Sequence, residues 1–254
     1  MSFSIASLTT YPIKGLAGQT HDEVMMTAGQ ILPGDRAFAL SSGTSQSREA
    51  DKNSWLKKAH FLQQMTVAEL AHLAVSFHPS DNQLTLTAPD NRHYQGQIDQ
   101  SADSARLIDF ITDFLNWPDD KAKPELFHLA EGGMTDTKTP LVSFGNRASI
   151  TDFAKKANLT DDESRFRLNI MMTGAPAFAE NDLIGCHARL GDAEFYFCEP
   201  VGRCAAIEVD PQTALRRKGL VSELADCYGT ADMGIFAEVT KSGKIAIGDE
   251  LILL

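Results

Sequence analysis

Short segments of alternating apolar and polar residues limit the fold of this chain more than any other feature. Leu73 to His78 and Gln83 to Ala88 alternate on either side of Pro79-Ser80-Asp81-Asn82, a pattern that predicts a β-hairpin. Residues 3–10, 23–27, 37–41, 125–129 and 235–240 also favour strands. Because helical patterns are few and scattered, we predict a mainly β chain with peripheral helices, an α+β fold of barrel-like β domains rather than a parallel α/β sheet.

The clearest helical pattern runs from Asp103 to Trp117 and ends at Pro118. Its apolar residues fall on one side, so we predict a helix that packs against a β-barrel. The charged residues 119–123 are followed by Pro124, which is typical of a linker between domains. We therefore expect an N-terminal β-barrel-like domain over residues 1–122 and a second β-barrel domain over residues 123–254.

The charge balance argues against nucleic acid as a partner. With 23 Lys and Arg against 34 Asp and Glu, the formal net charge is −11, so a general nucleic-acid-binding surface is disfavoured. An anionic ligand would have to be held by a local cluster of Lys and Arg. Residues 1–10 contain neither a basic stretch nor a long apolar one, and no later segment approaches the roughly 18 apolar residues of a membrane span. A cytoplasmic protein with no membrane partner is expected.

The cysteines and histidines show no metal-binding or disulfide pattern. The four cysteines, Cys186, Cys198, Cys204 and Cys227, have no Cys-x-x-Cys spacing and are predicted to be reduced thiols. The seven histidines form no His-x-x-x-His or His-x-His pair. The usual signatures of zinc hydrolases, serine hydrolases, nucleotide kinases and Rossmann dehydrogenases are all missing.

The stretch from Cys198 to Thr213 predicts a strand, a turn and a second strand, with Cys204 at the turn. The second strand, residues 205–209, would place its apolar face away from Cys204. Arg203 stands directly before this thiol, and a nearby cation favours the thiolate, the form that attacks electrophiles or binds soft metals. Free cysteines are also among the most buried residues, so a packing role for Cys204 stays the alternative.

Two further cations stand on predicted loops. Lys14 lies in Tyr11-Pro12-Ile13-Lys14-Gly15, where Pro and Gly predict an irregular segment that can approach a ligand closely. The alternative is a lysine exposed to solvent. Arg36 opens the strand 37–41 after the turn residue Asp35, which could pair with Arg36 or simply hold the turn.

The segment Arg165-Phe166-Arg167-Leu168-Asn169-Ile170 reads as a strand. Its three apolar residues would enter a core, and Arg165, Arg167 and Asn169 would share the other face. Two guanidinium groups and an amide on one face suit a phosphate or another planar oxyanion. A solvent-facing surface paired with carboxylates is the alternative.

Several short motifs, in register over nearly the whole chain, together resemble MOSC-domain proteins that carry the MOSC N-terminal β-barrel, relatives of the mitochondrial amidoxime-reducing component. They are Tyr11-Pro12-Ile13-Lys14, Gly34-Asp35-Arg36, Thr139-Pro140-Leu141, Phe166-Arg167-Leu168-Asn169-Ile170, Phe178-Ala179-Glu180-Asn181-Asp182, Gly202-Arg203-Cys204, Val209-Asp210-Pro211 and Ile247-Gly248-Asp249-Glu250. Each motif is weak alone, and their order and spacing make the resemblance specific.

The resemblance implies that the chain binds molybdenum cofactor, a pyranopterin. By this resemblance, the Cys204 thiolate is the metal ligand and the catalytic residue, and Lys14, Arg36, Arg167 and Asn169 hold the phosphate and ring of the cofactor. Pyridoxal phosphate binding is a further possibility at the level of the family. Cys198 is the alternative metal ligand, but it precedes the predicted turn.

The chain departs from the family pattern at three positions. Leu168 stands where a proline is common, Ala214 where a glycine often follows the Asp-Pro-x-Thr run, and Gly15 where many members have serine. The last change removes a hydroxyl group that could contact phosphate.

Three functions follow as expectations. The first is an oxidoreductase that reduces N-hydroxylated small molecules; because no Cys-x4-Cys run for an iron–sulfur cluster is present, a separate protein would supply its electrons. The second is a non-catalytic carrier of cofactor or of sulfur, as a Cys204 persulfide. The third is a β-barrel interaction protein in which Cys204 only packs. The sequence does not indicate the oligomeric state.

Overall fold

The computed structural model of the chain describes residues 2–48, 50–51, 54–129 and 131–254. Its N-terminal half is built from short strands and one long helix. In order, the elements are β1 (Ser4–Thr10), β2 (Gln19–His21), β3 (Glu23–Met26), β4 (Phe38–Leu40), the single turn α1 (Ser45–Arg48), 3₁₀ helices Lys58–His60 and Ala68–His72, β5 (Ala74–His78), β6 (Gln83–Thr87), β7 (His93–Gln97) and α2 (Ser101–Phe114).

The C-terminal half has longer strands and two more α-helices. In order, the elements are β8 (Leu126–His128), β9 (Val142–Asn146), α3 (Arg147–Lys156), the 3₁₀ helix Glu163–Phe166, β10 (Ile170–Thr173), the 3₁₀ helix Ala179–Leu183, β11 (His187–Leu190), β12 (Ala193–Gly202), the 3₁₀ helix Ala205–Glu208, α4 (Leu220–Tyr228), β13 (Asp232–Lys241), β14 (Gly243–Ala246) and β15 (Leu251–Leu253). The predicted mainly β fold with peripheral helices is confirmed.

One eight-stranded sheet, curled into a half-barrel, holds strands from both halves in the order β15-β11-β12-β13-β9-β10-β1-β2. Alternation along β12 explains its core face. Phe195 and Phe197 are fully buried, and their rings contact the Phe144 ring of β9 edge-on, with centroids 5.3 and 5.1 Å apart. Burying each such ring stabilises the fold by about 1.5–3 kcal/mol.

The predicted hairpin forms in the N-terminal half. β5 and β6 pair antiparallel with Phe77 opposite Leu84, and β7 completes a three-stranded sheet. Helix α2 packs on this sheet, because its buried Leu107 and Ile111 share a core with Leu84. The helix therefore has the packing role predicted from its apolar side.

The first strand belongs to the core of the C-terminal half. β1 pairs antiparallel with β10, with Leu8 opposite Ile170, and β3 pairs with β14. The buried residues Phe3, Ile5 and Leu8 share a core with β9 to β13. The loop that follows β1 is thereby brought beside the C-terminal sheet. The division of the chain at residues 122 and 123 stays a prediction.

The structure corrects two predicted strands, the one that contains Arg167 and the one that follows Cys204. Of the predicted strand 165–170, only Ile170 lies in a strand, as the first residue of β10: Glu163–Phe166 is a 3₁₀ helix and Arg167 is left-handed, with φ 53° and ψ 40°. Phe166, Leu168 and Ile170 are nevertheless buried as predicted. Residues 205–209 are also not a strand, because the amide of Ile207 bonds the carbonyl of Cys204 at 3.1 Å and starts a 3₁₀ turn.

Strand β12 continues through Pro200, although proline is uncommon inside strands. Pro200 lies opposite Ile235 of β13, and the pairing of β12 with β11 ends earlier, at Tyr196. A proline lacks an amide hydrogen, and its position beyond the β11 pairing leaves no ladder bond to lose on that side. The strand therefore extends to Gly202 and delivers Arg203 and Cys204 at its end.

Within the described residues, no helix combines the length and the apolar character needed to cross a bilayer.

Candidate functional site

One pocket of about 270 Å³ brings the predicted site residues together. Cys204, Lys14, Arg36, Arg167 and Asn169 all contribute to its wall. They come from both halves of the chain and from positions up to 190 residues apart (204 − 14). The pocket forms because the loop after β1 lies beside the segments that flank β10 and follow β12.

Cys204 occupies the position directly before the 3₁₀ helix Ala205–Glu208 and is partly exposed. Its sulfur is therefore not sealed in the apolar core, as a packing role would require. Cys198, the alternative ligand, is not part of the described pocket wall. It lies within β12, its thiol donates to the carbonyl of Tyr196 at 3.3 Å, and burial raises its pKa.

Arg203 carries a partly buried positive charge next to Cys204. Its guanidinium donates to the carbonyls of Val201, Phe166 and Met233 at 3.2, 2.7 and 2.5 Å. Burial lowers the pKa of Arg203 to about 10, which leaves the group charged at neutral pH. No carboxylate among the described residues forms an ion pair with it. The charge is thus available to an anionic ligand in the pocket.

Lys14 is buried, with only 5% of its surface exposed, so the alternative of a solvent-exposed lysine was wrong. Its amide bonds the carbonyl of Phe38 at 2.8 Å, which fixes the loop against β4. Its Nζ donates to Met134 O at 2.8 Å and to Asp136 Oδ1 at 2.7 Å. Burial lowers the pKa of Lys14, and the carboxylate of Asp136 opposes that effect.

Asp136 stands at the rim of the pocket, with 57% of its side chain exposed. Partial removal from water would raise its pKa, but the charge and hydrogen bond of Lys14, helped by Arg36 and Lys58, lower it to about 2. Asp136 is therefore ionised at neutral pH.

Arg36 and Arg167 are arranged around the ring of Tyr11. Their guanidinium carbons lie 4.7 and 4.3 Å from the ring centroid, within range of cation–π attraction. Arg36 Nη1 also bonds Asp35 Oδ2, and Asp35 Oδ1 accepts from the amide of Tyr11 at 2.8 Å. Asp35 thus pairs with Arg36 and also fixes the backbone at Tyr11. The predicted ion pair with Arg36 is therefore present, and the same carboxylate has a structural role as well.

Arg167 has little compensation for its charge. Its Nη1 donates to the carbonyl of Leu16 at 2.5 Å, and within the described parts of the chain it has no carboxylate partner. Burial lowers the pKa of Arg167 to about 10, and the positive charge of the nearby Arg36 also lowers it. Both Arg36 and Arg167 are left-handed, at φ 51° and 53°. Left-handed non-glycine residues store strain and concentrate at functional sites.

Asn169 uses its amide group within the protein. Its Oδ1 accepts from the hydroxyl of Ser143 at 2.8 Å, and its Nδ2 donates to the carbonyl of Thr9 at 3.1 Å. The side chain therefore ties β9 and β1 together behind the pocket wall. Its role in holding a cofactor stays a prediction.

Arg165 lies in the same wall but is 4% exposed rather than on a solvent-facing surface. It pairs with Asp210 at 2.7 Å and donates to the carbonyls of Ile207 and Val209 at 3.1 Å each. Its Nε is buried without a partner. An unpaired buried donor is unusual in a folded protein.

The charge of the wall is strongly positive although the protein is acidic. Of the described residues that line the pocket, six are cationic, namely Lys14, Arg36, Lys58, Arg165, Arg167 and Arg203, and Asp136 is the carboxylate. Sequence reasoning missed Lys58, Asp136 and the ring of Tyr11. Tyr11 belongs to the motif Tyr11-Pro12-Ile13-Lys14, whereas the sequence around Lys58 contains no motif that would indicate a site.

The family departures have structural explanations. Gly15 has φ +87°, and a Cβ there would lie 2.6 Å from Leu62 O, so the close approach of residues 62 and 63 requires glycine. Leu168 fills space beside Gly145 and Gly234, where added Cβ atoms would meet its side chain. Ala214 is left-handed at φ 52°, a conformation that glycine adopts more easily.

No grouping of three or more His, Cys, Asp or Glu side chains suited to a metal ion occurs in the described residues. The wall instead offers one thiol and several cations. Such a set can hold an anion of the phosphate type beside a nucleophilic or metal-binding sulfur.

Comparison with known proteins identifies two adjoining family models. The model described as the MOSC N-terminal beta barrel domain matches residues 2–123, and that described as the MOSC domain matches residues 137–252. No curated protein sequence matches the chain.

Solved structures resemble the fold only distantly. The YUAD protein from Bacillus subtilis shares 12% identity at a TM-score of 0.48, with 99% of this chain and 94% of that chain covered. YiiM from Geobacillus stearothermophilus shares 17% identity at a TM-score of 0.37, with 44% of this chain and 53% of that chain covered.

Proposed function

Because the chain belongs to the MOSC family, with a MOSC N-terminal β-barrel domain before its MOSC domain, we propose that it is a molybdenum-cofactor-binding oxidoreductase that acts on N-hydroxylated compounds. MOSC domains are associated with molybdenum cofactor sulfurase-like proteins. The observation that carries the proposal is the partly exposed thiol of Cys204 in a pocket wall with six cations and Asp136 as the carboxylate among the described residues.

The donor set fits such a cofactor. A thiolate is a soft ligand suited to the metal. The cofactor's phosphate and polar ring need hydrogen-bond donors, and the wall offers the guanidinium groups of Arg36 and Arg167. Buried cations without carboxylate partners are costly, which favours a site completed by an anionic ligand. These features support the fit.

In this proposal each residue has a distinct task. Cys204 holds the metal, Lys14, Arg36 and Arg167 bind the phosphate and ring, and Asn169 keeps β9 and β1 in place behind them. When bound, the cofactor supplies the redox chemistry that the side chains lack. Reduction of an N–OH group to N–H consumes two electrons and two protons and releases water; a separate redox protein supplies the electrons. The same basic wall would suit the phosphate group of pyridoxal phosphate.

A carrier of cofactor or sulfur is the second candidate. The partial exposure of Cys204 favours it, because a thiol that passes on a persulfide or a cofactor must be reachable by another protein. The third expectation, an interaction protein with a purely packing Cys204, is disfavoured by the same exposure.

Turnover separates the first two candidates. Protein produced in a host that makes molybdenum cofactor should reduce an N-hydroxylated amidine with a chemical electron donor, and Cys204→Ser should not. Cys198→Ser, outside the pocket, is the matched control and should retain activity. Bound molybdenum without turnover would support the carrier instead.

A further inference from the structure

Arg216 joins the segment that carries Cys204 to a turn of the N-terminal half. Its Nη2 donates to Gln64 O at 2.8 Å and to Met65 O at 2.9 Å, and its Nη1 donates to Ala205 O at 3.3 Å. Ala205 directly follows Cys204. The planar fork of a guanidinium allows one side chain to reach three carbonyls, which a lysine cannot do in the same way.

Both ends of this connection shape the pocket. Gln64 from the N-terminal half and Ala206 and Ile207 from the C-terminal half are all part of the wall. The N-terminal turn also lies against Gly15, because a Cβ at Gly15 would be 2.6 Å from Leu62 O. Arg216 therefore connects the backbone after Cys204 to the backbone beside Lys14.

The Asp-Pro-x-Thr run places Arg216 in position. Asp210 Oδ1 accepts from the amides of Gln212 and Thr213 at 3.0 and 2.9 Å. The amide of Asp210 bonds the carbonyl of Leu215 at 2.9 Å, and Arg216 returns to form a β-bridge with Val209. This reversal gives the run a structural role in directing Arg216 toward the turn at residues 64 and 65.

Three carbonyl contacts, together with a longer ion pair to Glu208, hold the Arg216 side chain. The nearest carboxylate oxygen, Glu208 Oε2, lies 3.8 Å from Nη1, beyond hydrogen-bond distance. Glu208 instead accepts from the amide of Gly219 at 2.8 Å. The direction of the guanidinium is thus fixed by the two backbone segments it joins.

We propose that Arg216 is a positioning residue that holds the Cys204 segment against the turn at residues 64 and 65, so that the thiol and the basic wall face one ligand. The inference rests on the proposed function only in taking this pocket as the ligand site. It does not depend on molybdenum.

The test follows alkylation of Cys204 by iodoacetamide, measured on its own peptide by mass spectrometry, with and without inorganic phosphate. In the wild type, phosphate on the basic wall should slow alkylation. In Arg216→Met, alkylation should be about tenfold faster, as expected when roughly one charge-assisted hydrogen bond no longer opposes local opening. Phosphate should still bind by calorimetry but should no longer protect the thiol.

Arg217→Met is the matched control. Arg217 is the next residue, but it donates to Ala157 O and pairs with Glu223. This variant should behave as the wild type. If Arg216→Met does not fold, Arg216→Lys replaces it in the test, because lysine keeps the charge without the planar fork. In Arg216→Lys, phosphate should no longer protect Cys204 from alkylation.

Protection of Cys204 equal to the wild type in the Arg216 variants, or no protection in the wild type, would overturn the proposal. Failure to retain molybdenum would leave this result unaffected, so it can be told apart from failure of the proposed function.

Discussion

Arg36 Nη2 donates to the backbone carbonyl of Arg167 at 3.1 Å, and both guanidinium groups lie against the ring of Tyr11. Two like charges in a largely buried setting repel each other. The electron-rich face of the ring and the backbone carbonyl offset part of that repulsion. The contact also joins the N-terminal half to the C-terminal half at the pocket wall.

Replacement of Tyr11 should separate the effect of its ring from that of its hydroxyl. Tyr11→Leu should lower the free energy of unfolding by about 2–4 kcal/mol, because it removes a buried ring and two cation–π contacts. Tyr11→Phe keeps the ring and loses only the 3.3 Å bond to Leu168 O, so it should cost about 1 kcal/mol or less. Urea denaturation measures both, and equal losses would contradict the role given to the ring.

Gly15 should not accept the serine that many relatives carry. Gly15→Ser adds a Cβ 2.6 Å from Leu62 O at φ +87°, and it should cost more than about 2 kcal/mol. Gly29→Ser is the control, because Gly29 has φ +71° with open space around it and should cost only about 1 kcal/mol. Thermal unfolding of the two variants compares them, and a serine tolerated equally well at both positions would be inconsistent with the close approach.

Ala214 offers a stabilising change. Ala214→Gly relieves a left-handed alanine at φ 52°. The relief of about 1–2 kcal/mol should exceed the extra backbone entropy of glycine in the unfolded chain, about 0.5–1 kcal/mol. The melting temperature should therefore rise slightly, and Ala214→Val should lower it. A lower melting temperature for Ala214→Gly would refute this explanation of the family departure.

The pair of Lys14 and Asp136 should make stability depend on pH in acid. The pKa of Asp136 falls from 3.8 to about 2 on folding, so its contribution is present above about pH 4 and is lost as the pH falls toward 2. In Asp136→Asn, the free energy of unfolding should decrease less between about pH 4 and pH 2 than it does in the wild type. Glu131→Gln, which changes an exposed carboxylate of the same loop, should not show this difference. Urea unfolding at pH 5 and pH 2.5 tests the difference, and identical slopes for wild type and Asp136→Asn would count against the pair.

Alternation of apolar and polar residues was sufficient to predict strands that have one buried face and one exposed face. The hairpin of β5 and β6 is an example. It failed at residues 165–170 and 205–209, where apolar residues alternate but the backbone turns. A left-handed Arg167 has no signature in the sequence, because tertiary contacts impose it. Pairing of β1 with β10 also joins residues too far apart for local patterns to predict.

The site was predicted only in part from the residues themselves. Lys14, Arg36, Arg167 and Cys204 were separate weak signals, and the family resemblance supplied the reason to expect them in one place. The pocket brings them together, but the contacts that hold them there were not foreseen. The contacts of Tyr11 with two cations and of Arg216 with residues 64 and 65 join positions far apart in the sequence, so local patterns do not predict them.

The molybdenum content of purified protein tests the central claim most directly. Wild type from a cofactor-competent host should contain molybdenum in near-stoichiometric amount, and Cys204→Ser should contain almost none while keeping the wild-type melting temperature. Lys14→Ala combined with Arg167→Ala should retain much less than the wild type, because two cations of the wall are gone. Equal molybdenum in wild type and Cys204→Ser, or none in a correctly folded wild type, would contradict the account.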